Sequence, residues 1–167
     1  MSKSSKRHIE NLIREIEGAF STSQYPRDDQ LVYDNSGNHL ECEEIARDFR
    51  GKDWKTIPLE TLRYNADSLL FFTPQAYRFY LPAYLLASIQ FYREADIITN
   101  NVVYSLTAPE EQGFEMKRFL LRVSFFSLTQ KSAIRSFLKF LLTKHSGNFP
   151  LGDINTAIER FWRSENI

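Results

Sequence analysis

Residues 72–89 read Phe-Thr-Pro-Gln-Ala-Tyr-Arg-Phe-Tyr-Leu-Pro-Ala-Tyr-Leu-Leu-Ala-Ser-Ile, and the fold class turns on whether this stretch is a helix. Thr73 suits a helix N-cap, where its hydroxyl accepts from a first-turn N–H, and Pro74 suits the first helical position, where no N–H is needed. Ala76, Tyr77, Phe79, Tyr80 and Leu81 carry the helix onward. Pro82 has no N–H for the carbonyl four residues earlier, so the sequence predicts a kink or a second helix running through Tyr84, Leu85, Leu86 and Ile89. A continuous helix puts Tyr77, Tyr80 and Tyr84 on one face, at i, i+3 and i+7.

Upstream, Ile9, Leu12, Ile13, Ile16 and Phe20 recur at spacings of three and four, which predicts a helix from Ser4 or Ser5 to Phe20, capped by one of those serines. Within it Glu10 and Arg14 are an i,i+4 pair. Tyr25 to His39, with Pro26 and Asn35-Ser36-Gly37-Asn38, reads as a connection holding at most one short strand at Leu31 to Tyr33. Leu40 to Phe49 is a helix with Ile45 and Phe49 inward and Gly51 as its stop. Pro58 suits the first position of a helix from Leu59 to Tyr64. Asp67 and Ser68 offer a cap before Leu69 to Phe72, a run too short to separate a buried strand from a helical turn.

Downstream, Ala95 to Leu106 is a short apolar element with a break expected at Asn100-Asn101. Met116, Phe119, Leu120 and Val123 define the next helical face. Thr129 is the expected cap of a helix from Gln130 to Lys144, whose stripe is Ala133, Ile134, Phe137, Leu138, Leu141 and Leu142. Gly147 lies past its end. Asp153 is the expected cap of a last helix carrying Ile154, Ala157, Ile158, Phe161 and Trp162. Helical stripes of this kind must bury against one another, so the fold class is all-α: one compact multi-helix domain over residues 1–167, with at most a short strand or hairpin.

The composition of the 167 residues agrees with a globular chain. The 12 Gly plus Pro and 24 aromatic residues, with no repeats, exclude disordered, collagenous and solenoid classes. Cys42 is the only cysteine, so no internal disulfide forms. The polar, basic start from Met1 to Arg7 and the interruption of Phe79–Tyr92 by Pro82, Ser88 and Gln90 predict a cytoplasmic protein with no membrane association. Charge is unevenly spread although the net is zero: Asp28 to Asp67 holds ten acidic residues against five basic, whereas Phe114 to His145 holds one against seven. Such patterning accompanies either weak attraction between halves or docking of a charged partner.

Several patches resemble an uncharacterised bacterial family of domains of unknown function. They are Phe49-Arg50-Gly51 with Trp54, Ile57 and Leu62; the stretch Phe72 to Leu86; Phe126 to Leu138, which reads Phe-Ser-Leu-Thr-Gln-Lys-Ser-Ala-Ile-Arg-Ser-Phe-Leu; and Arg160-Phe161-Trp162. The resemblance implies a cytosolic helical domain and carries no reaction with it.

No residue pattern announces catalysis, a cofactor or a metal. His39 and Cys42 have an H-x-x-C spacing, but zinc wants four ligands, and His8 and His145 are isolated; an ordinary half-buried cysteine is the expectation. The pairs Asp28-Asp29, Glu43-Glu44 and Glu110-Glu111 are adjacent in sequence, which on a helix sends them about 100° apart. Lys131, Arg135 and Lys139 form a basic stripe for phosphates, yet a pI of 6.8 argues against nucleic acid. Trp54, Tyr77, Arg78, Tyr80 and Tyr84 are the candidate binding residues: they are either a core seam or a groove for another protein, since Tyr, Trp and Arg concentrate interface energy. The expected function is non-catalytic protein interaction or regulation, including neutralisation of the partner. A small enzyme with an unrecognised site is the alternative, and nucleic-acid binding the third.

Overall fold

The computed structural model describes residues 3–95, 97–145 and 154–163, and these form eight α-helices and no strand. The helices are α1 (Lys3–Phe20), α2 (Leu40–Phe49), α3 (Leu59–Tyr64), α4 (Pro74–Gln90), α5 (Ile98–Leu106), α6 (Phe114–Ser124), α7 (Leu128–His145) and α8 (Ile154–Arg160). Short 3-10 turns lie at Asp28–Gln30, Trp54–Thr56 and Ser68–Leu70. The all-α reading therefore holds.

The central element is α4. Thr73 caps it by accepting from the Ala76 N–H at 3.2 Å, while its own hydroxyl donates to the Gln30 carbonyl. Twelve of its seventeen residues are buried, so neighbours surround it on nearly every side: α1, α3, α5, α6 and the Trp54 turn all pack on it. That enclosure explains Pro82, through which the helix runs unbroken instead of restarting. A proline inside a helix costs about 3 kcal/mol. Each large apolar side chain fully buried around it returns about 1.5–3 kcal/mol.

Around α4, α1 lies against α7, and α8 joins α7 to α5, giving one contiguous apolar core that includes Ile16, Phe20, Phe49, Leu81, Phe137 and Trp162. The expected strand at Leu31 to Tyr33 is a single antiparallel bridge between Val32 and Phe72. Its bonds are Tyr33 N–H to the Phe71 carbonyl at 3.2 Å and Thr73 N–H to the Leu31 carbonyl at 3.0 Å. The ambiguous run Leu69 to Phe72 is thus a 3-10 turn that opens into this bridge.

Several boundaries differ from expectation. Ser4 and Ser5 lie inside α1, which already includes Lys3, and Arg14 bonds the Asn11 side chain and the Glu10 carbonyl instead of the Glu10 carboxylate. Pro58 sits at the cap of α3, one residue before its first turn. Asn100 and Asn101 do not break α5. Ser127, not Thr129, caps α7: its hydroxyl accepts from the Gln130 N–H at 3.2 Å while the Gln130 side-chain oxygen accepts from the Ser127 N–H at 3.1 Å, a reciprocal capping box. Leu120 faces out of α6, and Trp162 lies beyond α8, buried, with its indole N–H on the Leu106 carbonyl at 2.7 Å. Gly147 and Asp153 lie outside the described residues. Gly51 does end α2 as a turn, with φ +68°, a backbone region that favours glycine.

Candidate functional site

The tyrosine row falls on one face of α4, and that face is inside the core. Tyr77, Tyr80 and Tyr84 are at most 1% exposed. Each hydroxyl reaches a different segment of the chain. Tyr77 pairs with the Ser105 hydroxyl at 2.9 Å. Tyr80 donates toward the carbonyls of Phe49 and Lys52, at 2.8 and 3.1 Å. Tyr84 meets the Ser68 hydroxyl at 2.6 Å and the Asn65 carbonyl at 2.9 Å. Burial pushes all three phenols above their usual range. No ring of the row is left on a surface groove. The Phe49-Arg50-Gly51 patch and the row are one unit, since the Gly51 turn presents to Tyr80 the carbonyls that it uses.

Arg78 is half-buried and donates from Nε to the Gln130 side-chain oxygen at 3.0 Å. Gln130 also donates to the Ser23 hydroxyl at 3.0 Å, so this polar knot joins the region after α1 to α4 and α7. Trp54 is buried, with Lys55 Nζ 5.4 Å from its ring centroid, and borders a shallow apolar groove of about 100 Å³ with Leu59, Leu86 and Phe91.

His39 caps α2, its Nδ1 accepting from the Cys42 N–H at 3.3 Å, so the spacing is that of a helix cap. Cys42 is fully rather than half buried, and burial, with Asp34 and Glu41 nearby, raises its thiol above the usual value, opposite to what a nucleophile needs. Among the described residues no three or more His, Cys, Asp or Glu side chains gather where an ion would bind. Likewise no helix among them is long and apolar enough to cross a membrane. A polar depression of about 630 Å³ is lined by Asp28, Asp29, Asp34 and Glu43, with Arg47 and Arg50 among them.

A larger cavity of about 690 Å³ lies where α6, the end of α5 and α8 meet the Val32–Phe72 bridge. Three arginines line it: Arg118 and Arg122, one turn apart on α6, and Arg160 on α8. Each is steadied by a backbone carbonyl. Arg118 donates to Leu70 at 2.9 Å, Arg160 to Ala108 at 3.2 Å, and Arg122 more loosely to Ser105 at 3.5 Å. With the Trp162 indole on Leu106, Arg122 and Arg160 cover carbonyls left open at and just after the end of α5.

Tyr33 and Tyr104 line the mouth of the cavity, and Phe114 lies beside it against Arg118. The Arg118 guanidinium lies 4.5 Å from the Tyr33 ring centroid and 5.6 Å from that of Phe114, and Tyr33 stacks on Phe71 at 6.2 Å. Tyr33, Tyr104 and Phe114 are 51%, 52% and 72% exposed. Arg122 lies over the Tyr77 ring at 5.1 Å, and its Nε is buried with no hydrogen-bond partner. Glu115 and Glu110 approach Arg118 and Arg160 at 3.5 and 3.7 Å, but both are mostly exposed.

Sequence reasoning placed Arg118 and Arg122 in the basic stretch but singled out Lys131, Arg135 and Lys139 on α7. The signal that finds the cavity is the i,i+4 arginine pair on α6, next to Phe114. Arg160 comes from the far end of the chain, and Tyr33 from a connection without regular structure, so neither is tied to α6 by spacing.

Residues 8–166 match the model of a family described only as being of unknown function, DUF6714, and the chain belongs to that family. No curated protein and no solved structure matches the chain.

Proposed function

We propose that this chain is a cytoplasmic, non-catalytic interaction domain that binds and regulates another protein, and that it docks through the aromatic mouth of the arginine-lined cavity. One observation carries the reading: Arg118 is held between two exposed rings, Tyr33 and Phe114, with Tyr104 on the same rim. Rings and guanidinium groups at a cavity mouth supply large contact area at low entropic cost, and such residues dominate measured interface energies.

The test compares the wild type with a Tyr33→Ala, Phe114→Ala double variant in affinity capture from native lysate, alongside thermal melting. The expected result is a protein retained in stoichiometric amount by the wild type and lost from the variant, with a melting temperature within about 3 °C of the wild type because the rings are exposed. Retention of the same protein by the variant overturns the reading. So does a wild type that retains only a small molecule, or only nucleic acid released by salt.

A further inference from the structure

Counting donors shows what the cavity is built to receive. A guanidinium has five N–H donors and no acceptor. Arg118, Arg122 and Arg160 each give a bond to one backbone carbonyl, which holds the group in place without using up its hydrogen-bonding capacity. Arg122 goes further: its Nε is buried without an acceptor, and an unmet buried N–H is costly in a folded protein. The neighbouring carboxylates do not neutralise the set. Glu110 and Glu115 are mostly solvent-exposed and bridge loosely, at distances where ion pairs in water contribute little. Three cations against two such anions leave one positive charge in excess along the cavity wall. The Ser105 and Leu106 carbonyls at the end of α5, which would repel an anion, are already met by Arg122 and Trp162, and the Ala108 carbonyl just beyond by Arg160.

We infer that the cavity is an oxyanion subsite, in which Arg118, Arg122 and Arg160 receive a carboxylate or phosphate group carried on an aromatic ring that stacks at the Tyr33–Tyr104 mouth. Arginine is suited to both groups because its planar fork donates two parallel bonds to paired oxygens. The cavity volume of about 690 Å³ falls within the range that encloses small ligands or a single anchoring side chain. The inference rests on the docking reading above and names its anchor: an aromatic group on the partner that itself carries the carboxylate or phosphate.

The experiment titrates the wild-type chain with phenyl phosphate, benzoate and neutral benzyl alcohol. It follows the arginine Nε–H resonances and the rings of Tyr33 and Tyr104 by NMR. Saturable shifts at Arg118, Arg122 and Arg160 with at least one anion, and none with benzyl alcohol, are the expected result. The anion that binds more tightly identifies the partner's group as phosphate or carboxylate. Arg160→Met is expected to weaken binding about tenfold. Because that variant disturbs the end of α5, Arg118→Met supplies an independent check with the same expected loss. Equal binding of benzyl alcohol, non-saturating shifts confined to surface lysines, or unchanged affinity in both variants overturns the subsite. Arginine-dependent anion binding together with a Tyr33→Ala, Phe114→Ala variant that keeps its protein partner leaves the subsite standing and removes the docking reading. Loss of the partner without anion binding does the reverse.

Discussion

Two rows of side chains, one on α4 and one on α6, start from the same helical arithmetic and end in opposite roles. Tyr77, Tyr80 and Tyr84 share a face of α4, and Arg118 and Arg122 share a face of α6. Both kinds of residue have a long apolar or planar body and a polar end. A phenol has one hydrogen to donate, and the core provides a hydroxyl or carbonyl for each, so the tyrosines become cross-links between α4 and the segments before and after it. A guanidinium has five, and one carbonyl with at most one loosely approaching carboxylate falls short of that number, leaving the Arg122 Nε unmet. The lesson is that the balance of donors against local acceptors, more than burial alone, separates a structural polar row from one equipped to bind something.

The largest effect that can test this contrast is on α4. Tyr80→Ala is expected to lose about 3–5 kcal/mol of stability from the lost ring in a packed aromatic cluster with Phe49, Phe72 and Phe79, with the Phe49 and Lys52 carbonyls left to find other partners. Tyr80→Phe keeps the ring and removes only the hydroxyl, so chemical denaturation should place its loss nearer 1–3 kcal/mol. A Tyr80→Ala protein as stable as the wild type would remove Tyr80 from the structural side of the comparison.

On α6 the expected effect is much smaller. Arg122→Met removes a buried N–H without a partner together with a long 3.5 Å bond, and keeps apolar contact with the Tyr77 ring, so stability should stay within about 1 kcal/mol of the wild type. A loss as large as that of Tyr80→Ala would make Arg122 as structural as the tyrosine row and erase the difference between the two rows.

The smallest effect concerns His145 at the end of α7, whose ring stacks on Tyr92 with centroids 3.5 Å apart. Partial burial, then Lys144, lowers its pKa below the usual imidazole value. The folded state therefore prefers the neutral ring. Its contribution is fully present above pH ~6.5 and fades as pH falls through the depressed folded value, because the unfolded chain takes up the proton first. An NMR titration should give a midpoint below 6.5 and a modest fall in melting temperature from pH 7 to pH 5 that His145→Gln abolishes. A midpoint above the ordinary value would reverse the sign.

Much of the helical framework was legible because its signals are local. Thr73-Pro74 fixed the start of α4, the apolar spacing of Leu12, Ile16 and Phe20 fixed α1, and Gly51 marked the end of α2. Errors came where tertiary packing competed with a local rule. Of the two outcomes expected at Pro82, a kink or a second helix, the restart did not occur: α4 runs through, enclosed by five neighbouring segments. Thr129 was a plausible cap, but Ser127 had in Gln130 the reciprocal partner that completes the box. Tyr77, Tyr80 and Tyr84 were rightly placed on one face, yet periodicity says only that residues share a face, and not whether that face meets water.

By itself the sequence determined the α-helical class and the order of the helices, which follow from spacings of a few residues along one chain. Only the tertiary structure decided that Tyr33, Arg118, Arg122 and Arg160 border a common cavity, because they come from segments up to 127 positions apart. It also decided which carbonyl each arginine meets, and so how many donors remain unspent. That remainder is a property of the assembled neighbourhood: a hydrogen bond depends on where two groups end up in space, and the side chain's identity fixes only how many it is able to make.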